Sequence, residues 1–410
     1  MLSRDKLEKF AELAVRVGAN MQKGQEVVLR CDVAVADFAR VLAKKAYECG
    51  AKRVHMQWRD EKIARIHMDC AETETLCKVP DYQLAESDYF IKNRCCLISV
   101  AAGDPNIFKG CDPEKVAKVN AATGTAQRAF REATMSNLLR WTIVSVPTEN
   151  WAKAVFPDET PERAVDRLWE SIAAVMRLNE PDPTAAWKEH IATLHRRADF
   201  LNAHRFSALR LTSKNGTDLT VGLAGGHTWL AAEEVGQDGV PFTANMPTEE
   251  IFTAPHRAHV NGVVKNALPL SHNGTIIDDF SLTFRDGKVV DFSAGKGYEA
   301  LAGIFDTDEG ASRLGEVALI GKRSPISELG ILFYNTLFDE NASCHLAFGQ
   351  AYPTTLEGGN GFSEKELEAR GANRSVEHVD FMVGAKDLRV VGIAEDGTET
   401  ELFSDGDWIV

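Results

Sequence analysis

Hydrophobic and polar positions follow two textures along this chain, and the change falls near its middle. Residues 26–32 (EVVLRCD) form a short apolar run that predicts a buried strand. Residues 36–49 then place apolar side chains at helical spacing, with Gly50 as a helix cap, and residues 51–58 predict another strand. This is a βαβ unit. A further strand is expected at Cys96–Ala101, ended by Asp104-Pro105; a long helix over Pro113–Leu139 and a strand at Thr142–Val146 follow. Two helices come next. Pro161–Leu178 carries Ala164, Leu168, Ile172 and Val175 on one face, and Trp187–Leu201 carries Trp187, Ile191, Leu194 and Leu201. The Asn179–Pro183 stretch breaks the chain between them. His190, His195 and His204, in or near the second helix, read as solvated or core-edge histidines.

After about residue 200 turn signals replace helical periodicity. Asn-Gly and Asp-Gly pairs, absent before that point, occur at Asn215-Gly216, Asp238-Gly239, Asn261-Gly262, Asn273-Gly274, Asp286-Gly287, Asn360-Gly361, Asp396-Gly397 and Asp405-Gly406. Such pairs favour the positive backbone angles of tight hairpins. Leu209–Thr212 with Asp218–Gly222 is expected to form one hairpin. Gly274–Phe280, Ser281–Arg285 and Lys288–Phe292 are expected to form a meander, and Arg389–Ile393 with Thr398–Phe403 a last hairpin. The expected organisation is an α/β N-terminal domain over residues 1–200 and a mixed α+β, β-rich C-terminal domain over 201–410, with the boundary near 198–206.

The length of 410 residues agrees with two or three domains. A composition of 44% hydrophobic and 26% charged residues excludes wholesale disorder. The net charge of -14 argues against a general nucleic-acid binder, which needs a basic face. No run approaches the length of a membrane span. The first residues read as an amphipathic helix with charges at Arg4, Asp5, Lys6, Glu8 and Lys9, not as a signal peptide. Seven of the eight cysteines lie within the first 111 residues without a CxxC pair. Reduced thiols in a cytoplasmic protein, and no cysteine-built zinc site, are expected.

Metal-ligand residue types accumulate in four segments of the β-rich half. In Asn245–Pro255, Glu249 and Glu250 lead into an apolar strand; alternation sends at most one of them into a given site. In Arg313–Ile320, Glu316 precedes a wholly apolar strand, so it sits at an exposed mouth or is paired inside. Asn335–Tyr352 packs Asp339, Glu340, His345 and Tyr352 among small residues, which permit close approach of the backbone to a ligand. In Asn373–Gly384, His378 and Asp380 are two apart and share one face of a strand. A set this rich in carboxylates suits two hydrolytic metals sharing a bridging carboxylate better than one structural zinc. Cys344 beside His345 suggests a thiol nucleophile only weakly, since strand neighbours point to opposite faces. No GxGxxG, P-loop, GxSxG or HExxH pattern offers a competing mechanism.

At Pro247-Thr248-Glu249-Glu250, Leu314-Gly315-Glu316-Val317-Ala318, Asn341-Ala342-Ser343-Cys344-His345 and His378-Val379-Asp380-Phe381-Met382 the chain resembles the aminopeptidase T family. These are dinuclear metalloaminopeptidases that include the bacterial aminopeptidases S and II. The likeness also takes in Gly24-Gln25 and Pro147–Ala152. The resemblance implies two divalent metal ions (zinc, cobalt or magnesium) held by Glu250, Glu316, Glu340, His345, His378 and Asp380, with Glu316 bridging. Glu340 is implied as ligand, neighbouring carboxylate or general base, and Tyr352, the catalytic residue, either as a contact to a metal or as hydrogen-bond donor to the tetrahedral oxyanion. It further implies a homodimer that removes N-terminal residues from peptides with a free N-terminus through a metal-activated water. Two other readings stay open at this point: another dinuclear hydrolase (amidase or phosphoesterase), for which Arg374 and Lys322 would be the nearest cations in sequence, and a non-catalytic metal-binding protein.

Overall fold

The computed structural model describes residues 2–105, 107–272 and 275–410. The chain divides into two compact units, Met1–Glu189 with Glu233–Pro247, and His190–Ala232 with Thr248–Val410. The division falls inside the helix Pro183–His204, and the segment 233–247 returns to the first unit. The expected single cut near residue 200 has no counterpart to that return.

The first unit is built on a four-stranded parallel sheet. Its strands are Arg53–Arg59, Glu26–Asp32, Cys96–Ala101 and Trp141–Ser145, in that spatial order. The helix Ala36–Glu48 connects the first pair, as the βαβ reading expects. Val27, Val28, Leu29, Leu97 and Ile98 are buried along the central strands, which is why these read as unbroken apolar runs. The expected single helix over Pro113–Leu139 is two, Pro113–Ala126 and Arg128–Met135, because Gln127 leaves helical geometry. The helices Glu61–Cys70, Asp81–Lys92 and Glu149–Val155 add to the expected set. Glu61–Cys70 buries no side chain and starts on the Asp60 carboxylate, which accepts from Lys62 N and Ile63 N. Its apolar side chains Ile63 and Ile66 are exposed, so the helix is held by its cap rather than by a buried stripe. The Trp187–Leu201 helix is longer than expected, Pro183–His204, with Pro183 starting it where proline costs least.

The second unit carries a nine-stranded sheet and a five-stranded antiparallel sheet. In the larger sheet, Ala208–Thr212 pairs with Asp218–Leu223, and Arg389–Ile393 pairs with Glu399–Ser404, as the two expected hairpins. Asp286-Gly287 and Asp405-Gly406 both take positive φ at tight turns. Asn261-Gly262 instead lies within the long strand Pro255–Lys265, and Asn360-Gly361 belongs to a 3-10 turn. Asn273-Gly274 lies outside the described residues. The expected break between Phe280 and Ser281 is absent: Thr275–Arg285 is one strand, paired from Asp278 to Arg285 with Lys288–Lys296. Asp279 takes a φ of 49° within it, a local kink that does not end the ladder.

Candidate metal centre

The five-stranded sheet orders its strands His378–Met382, His345–Gly349, Leu314–Leu319, Ile251–Thr253 and Leu230–Ala231. Its register places the chemistry. Glu316 and Asp380 both lie opposite Ala347, from the two sides of the strand His345–Gly349. His345 lies opposite Ala318, and His378 opposite Gly349. Residues two apart share a face, so Glu316, His345, His378 and Asp380 project from one side of the sheet. Phe252 pairs with Ala318, so Glu250, two residues earlier, belongs to the same side. The alternate residues Val317, Leu319, Leu346, Phe348, Val379 and Phe381 join the hydrophobic core on the other side. Burial of that apolar face fixes the register, and the register gathers the candidate donors.

Small residues make the approach possible. Ala318, Ala347 and Gly349 form the floor beneath the ligands. Gly315 lies against the Gly349 and Gln350 carbonyls so closely that a Cβ would collide with both.

The distances define two groups of donors that share Glu316. In one, His345 Nε2 lies 3.2 Å from Glu316 Oε1 and 3.5 Å from Glu250 Oε2. In the other, His378 Nε2 lies 3.4 Å from Asp380 Oδ1 and 3.9 Å from Glu316 Oε2. The donor atoms within each group, Glu250–Glu316–His345 and Glu316–His378–Asp380, all stand within 4.8 Å of one another. His345 Nε2 is also 3.9 Å from Asp380 Oδ1, which joins the groups. Each imidazole is held from behind. His378 Nδ1 donates to the Gln350 carbonyl at 2.8 Å, and His345 Nδ1 faces the Ser343 carbonyl at 3.3 Å. That leaves both Nε2 atoms directed at the carboxylates, an orientation typical of metal-binding histidines.

The electrostatics fit a cation. Glu316 is 5% exposed and His345 1%. Burial, added to by the nearby Glu316 and Asp380 charges, pushes the Glu250 carboxyl up to about 8. Burial with the Glu250 and Asp380 charges puts Glu340 well above the ordinary carboxylate range. Burial alone would lower both imidazoles. The carboxylates outweigh it, chiefly Glu316 for His345 and Asp380 for His378, raising them to about 10 and about 9. Asp380 is held low by His378 despite its burial. Its Oδ1 is nonetheless buried without a hydrogen-bond partner. A buried acceptor lacking a donor, among carboxylates that draw protons onto both histidines, is what a divalent cation satisfies. The donor set fits such an ion.

Glu340 and Tyr352 flank the ligands without belonging to either group. Glu340 opens the 3-10 turn Glu340–Ala342 and, with Asp380, lines a cavity of about 60 Å³ shared with Tyr334, Asn335 and Met382. The Tyr352 ring packs on His378, centroids 4.8 Å apart, and edge-on to Phe252 at 6.3 Å. Burial, reinforced by the Glu316 and Asp380 charges, raises its phenol and keeps it protonated. The thiol alternative fails on geometry. Cys344 Sγ turns away to the backbone of Ile320, 3.3 Å from both its N and its O, and burial pushes it up to about 12.

Three supporting groups carry no signal in the sequence reading. Asn341, fully buried, accepts from Glu249 N at 2.7 Å and donates to Leu337 O at 3.2 Å and Glu340 Oε1 at 3.4 Å. It thereby couples the loop before Glu250 to the turn bearing Glu340. Residue type alone does not distinguish such an amide from any other. His190, read as solvated or core-edge, has Nε2 2.8 Å from Thr248 O and 3.5 Å from Glu249 Oε2. Glu249 thus faces away from the ligands, in keeping with strand alternation. The Gln350 carbonyl is a backbone group and leaves no side-chain signal. Asn341→Ala leaves the buried Glu249 N–H without an acceptor, so a stability loss of about 1–3 kcal/mol is expected, read as a lower denaturation midpoint.

Comparison with known proteins fits this geometry. The family model described as thermophilic metalloprotease (M29) matches residues 3–408. The chain belongs to the M29 metalloprotease family. Aminopeptidase 2 of Geobacillus stearothermophilus is 44% identical to this M29 protein over 402 residues, covering 98% of this chain and 97% of that one. Aminopeptidase AmpS of Bacillus subtilis is also 44% identical, covering 98% of each. The structure of wild-type AmpT from Thermus thermophilus superposes with a TM-score of 0.93 at 42% identity, covering 99% of both chains. The M29 fold is therefore that of AmpT, and as a metalloprotease the protein works with a divalent metal.

Proposed function

We propose that this protein is a metal-dependent aminopeptidase whose centre would hold two divalent ions in two donor groups that share Glu316. The observation that carries the reading is the pair of three-residue donor groups that meet at Glu316 on one face of the sheet. Glu250 and His345 complete one group, and His378 and Asp380 the other. When bound, such ions supply Lewis acidity that polarises a peptide carbonyl and makes water a nucleophile at neutral pH. The chain's own residues do the rest. The carboxylates draw in the ammonium group of a peptide's free N-terminus. Glu340, on the 3-10 turn that lines the cavity beside Asp380, would take a proton from water and return it to the leaving amine. Tyr352, kept neutral, donates its O–H to the developing oxyanion.

The phosphoesterase alternative needs a cation at the metals. Arg374 pairs with Glu364 on the surface, and Lys322 Nζ lies 3.5 Å from Lys386 O. Among the described residues, the cationic partners of Glu250, Glu316 and Asp380 are the two histidines. The family resemblance supports a homodimer, and eight free cysteines support a cytoplasmic location. Among the described residues no helix is long and apolar enough to cross a membrane.

Chelator-stripped protein assayed on leucine and arginine p-nitroanilides tests the activity. Release of nitroaniline restored by cobalt or zinc is the expected result. Folded protein that releases none with any divalent metal would overturn the reading.

A further inference from the structure

A separate set of metal-binding side chains lies in the first compact unit. Glu26 opens the strand Glu26–Asp32 and is only 6% exposed, a carboxylate set among Val27, Val28 and Leu29. His55, on the adjacent strand, lies opposite Val28. Cys95, completely buried, directly precedes Cys96, which lies opposite Val27 on the other adjacent strand. Parallel pairing therefore brings donors from two neighbouring strands, and from the residue leading into a third, to the same end of the sheet. The carboxylate oxygen, imidazole nitrogen and thiol sulfur stand within 4.8 Å of one another. His55 Nε2 is 2.7 Å from Glu26 Oε2. Tyr89 donates its hydroxyl to that same oxygen at 3.0 Å, and Lys52 Nζ lies 3.3 Å from Oε1. The rings of Tyr89 and Phe90 pack edge-on against the imidazole, centroids 5.5 and 5.3 Å away.

We propose that Glu26, His55 and Cys95 bind a thiophilic divalent cation, zinc foremost, which ties three parallel strands together and takes no part in peptide hydrolysis. The donor spacing suits the ion. With zinc bonds of about 2.0–2.3 Å, the donors of a tetrahedral site stand about 3.3–3.8 Å apart, within reach of small side-chain rotations. Thiolate with imidazole selects zinc or cobalt over magnesium and calcium. Burial holds the thiol up to about 11, so without a metal Cys95 is an inert thiol. Coordination deprotonates it, and the proton leaves to solvent. Three protein donors leave a fourth position for water. Lys52, two-thirds exposed, is free to swing aside from it.

Cobalt is the probe that separates this site from the hydrolytic one. The ligands read there are carboxylates and imidazoles, and Cys344 is engaged by the Ile320 backbone, so no thiolate binds metal at that centre. Cobalt-loaded full-length protein is expected to show a thiolate-to-cobalt charge-transfer band in the near ultraviolet. The band should be absent from Cys95→Ala and present in Glu316→Ala. Unchanged anilide hydrolysis by Cys95→Ala would show that the variant is folded and the site is separate. No band in the unaltered protein, or a band that persists in Cys95→Ala, would overturn the proposal. Should Cys95→Ala not fold, His55→Gln carries the test: cobalt affinity read from the band should fall by about tenfold or more, and an unchanged titration would overturn it.

Discussion

Glu316→Ala is expected to cut turnover on aminoacyl anilides by on the order of 10³-fold or more and to remove about two metal equivalents per chain relative to the unaltered protein. The size follows from position. Glu316 belongs to both donor groups, with one oxygen 3.2 Å from His345 Nε2 and the other 3.9 Å from His378 Nε2. Removing any other ligand leaves one complete group, whereas removing Glu316 leaves none. A thousandfold loss corresponds to about 4 kcal/mol of transition-state stabilisation, the scale that metal polarisation supplies. At 5% exposure, Glu316 is shielded from bulk solvent. Glu316→Gln controls for shape, since it keeps the volume and removes the charge. Metal analysis and steady-state kinetics on both variants check the expectation. Two retained metals with near-normal turnover would show that Glu316 is not the shared ligand.

Tyr352→Phe separates chemistry from metal binding. Here kcat is expected to fall by about 10²–10³-fold, the usual loss when one oxyanion donor is removed. Metal content should be unchanged. The phenylalanine ring keeps the packing on His378 and Phe252, so the ligand face stays in place. What is lost is the O–H, which burial and the surrounding carboxylates keep protonated and able to donate. A Tyr352→Phe protein that lost metal would make the phenol a ligand. One with full kcat would remove Tyr352 from the reaction. The two variants together therefore distinguish a residue that holds the ions from one that acts on the substrate.

Much of the five-stranded sheet that carries the candidate metal centre is legible in the chain alone. Val317 and Leu319, Leu346 and Phe348, and Val379 and Phe381 alternate with Glu316, His345 and Asp380. A two-residue period assigns the apolar set to the core and the polar set to the other face, whichever strands pair. The same logic separates Glu249 from Glu250 and places His378 with Asp380. The βαβ start and the hairpin turn at Asp286-Gly287 are equally local, because turn geometry and helical spacing act over a few residues.

Other features depend on neighbours far along the chain. Nothing near Ala347 indicates that Glu316 and Asp380 lie on either side of it. That register comes from burying the opposite apolar face. Asn341 and His190 become supports for the glutamate loop only once the chain has folded, since an amide or imidazole has no characteristic spacing. Glu26, His55 and Cys95, scattered along the sequence, meet only through parallel pairing. The chain by itself determined which residue types could bind metal and which face each would take. The tertiary structure decided which of them meet, because coordination needs donors within a few ångströms, and only long-range strand pairing sets distances on that scale.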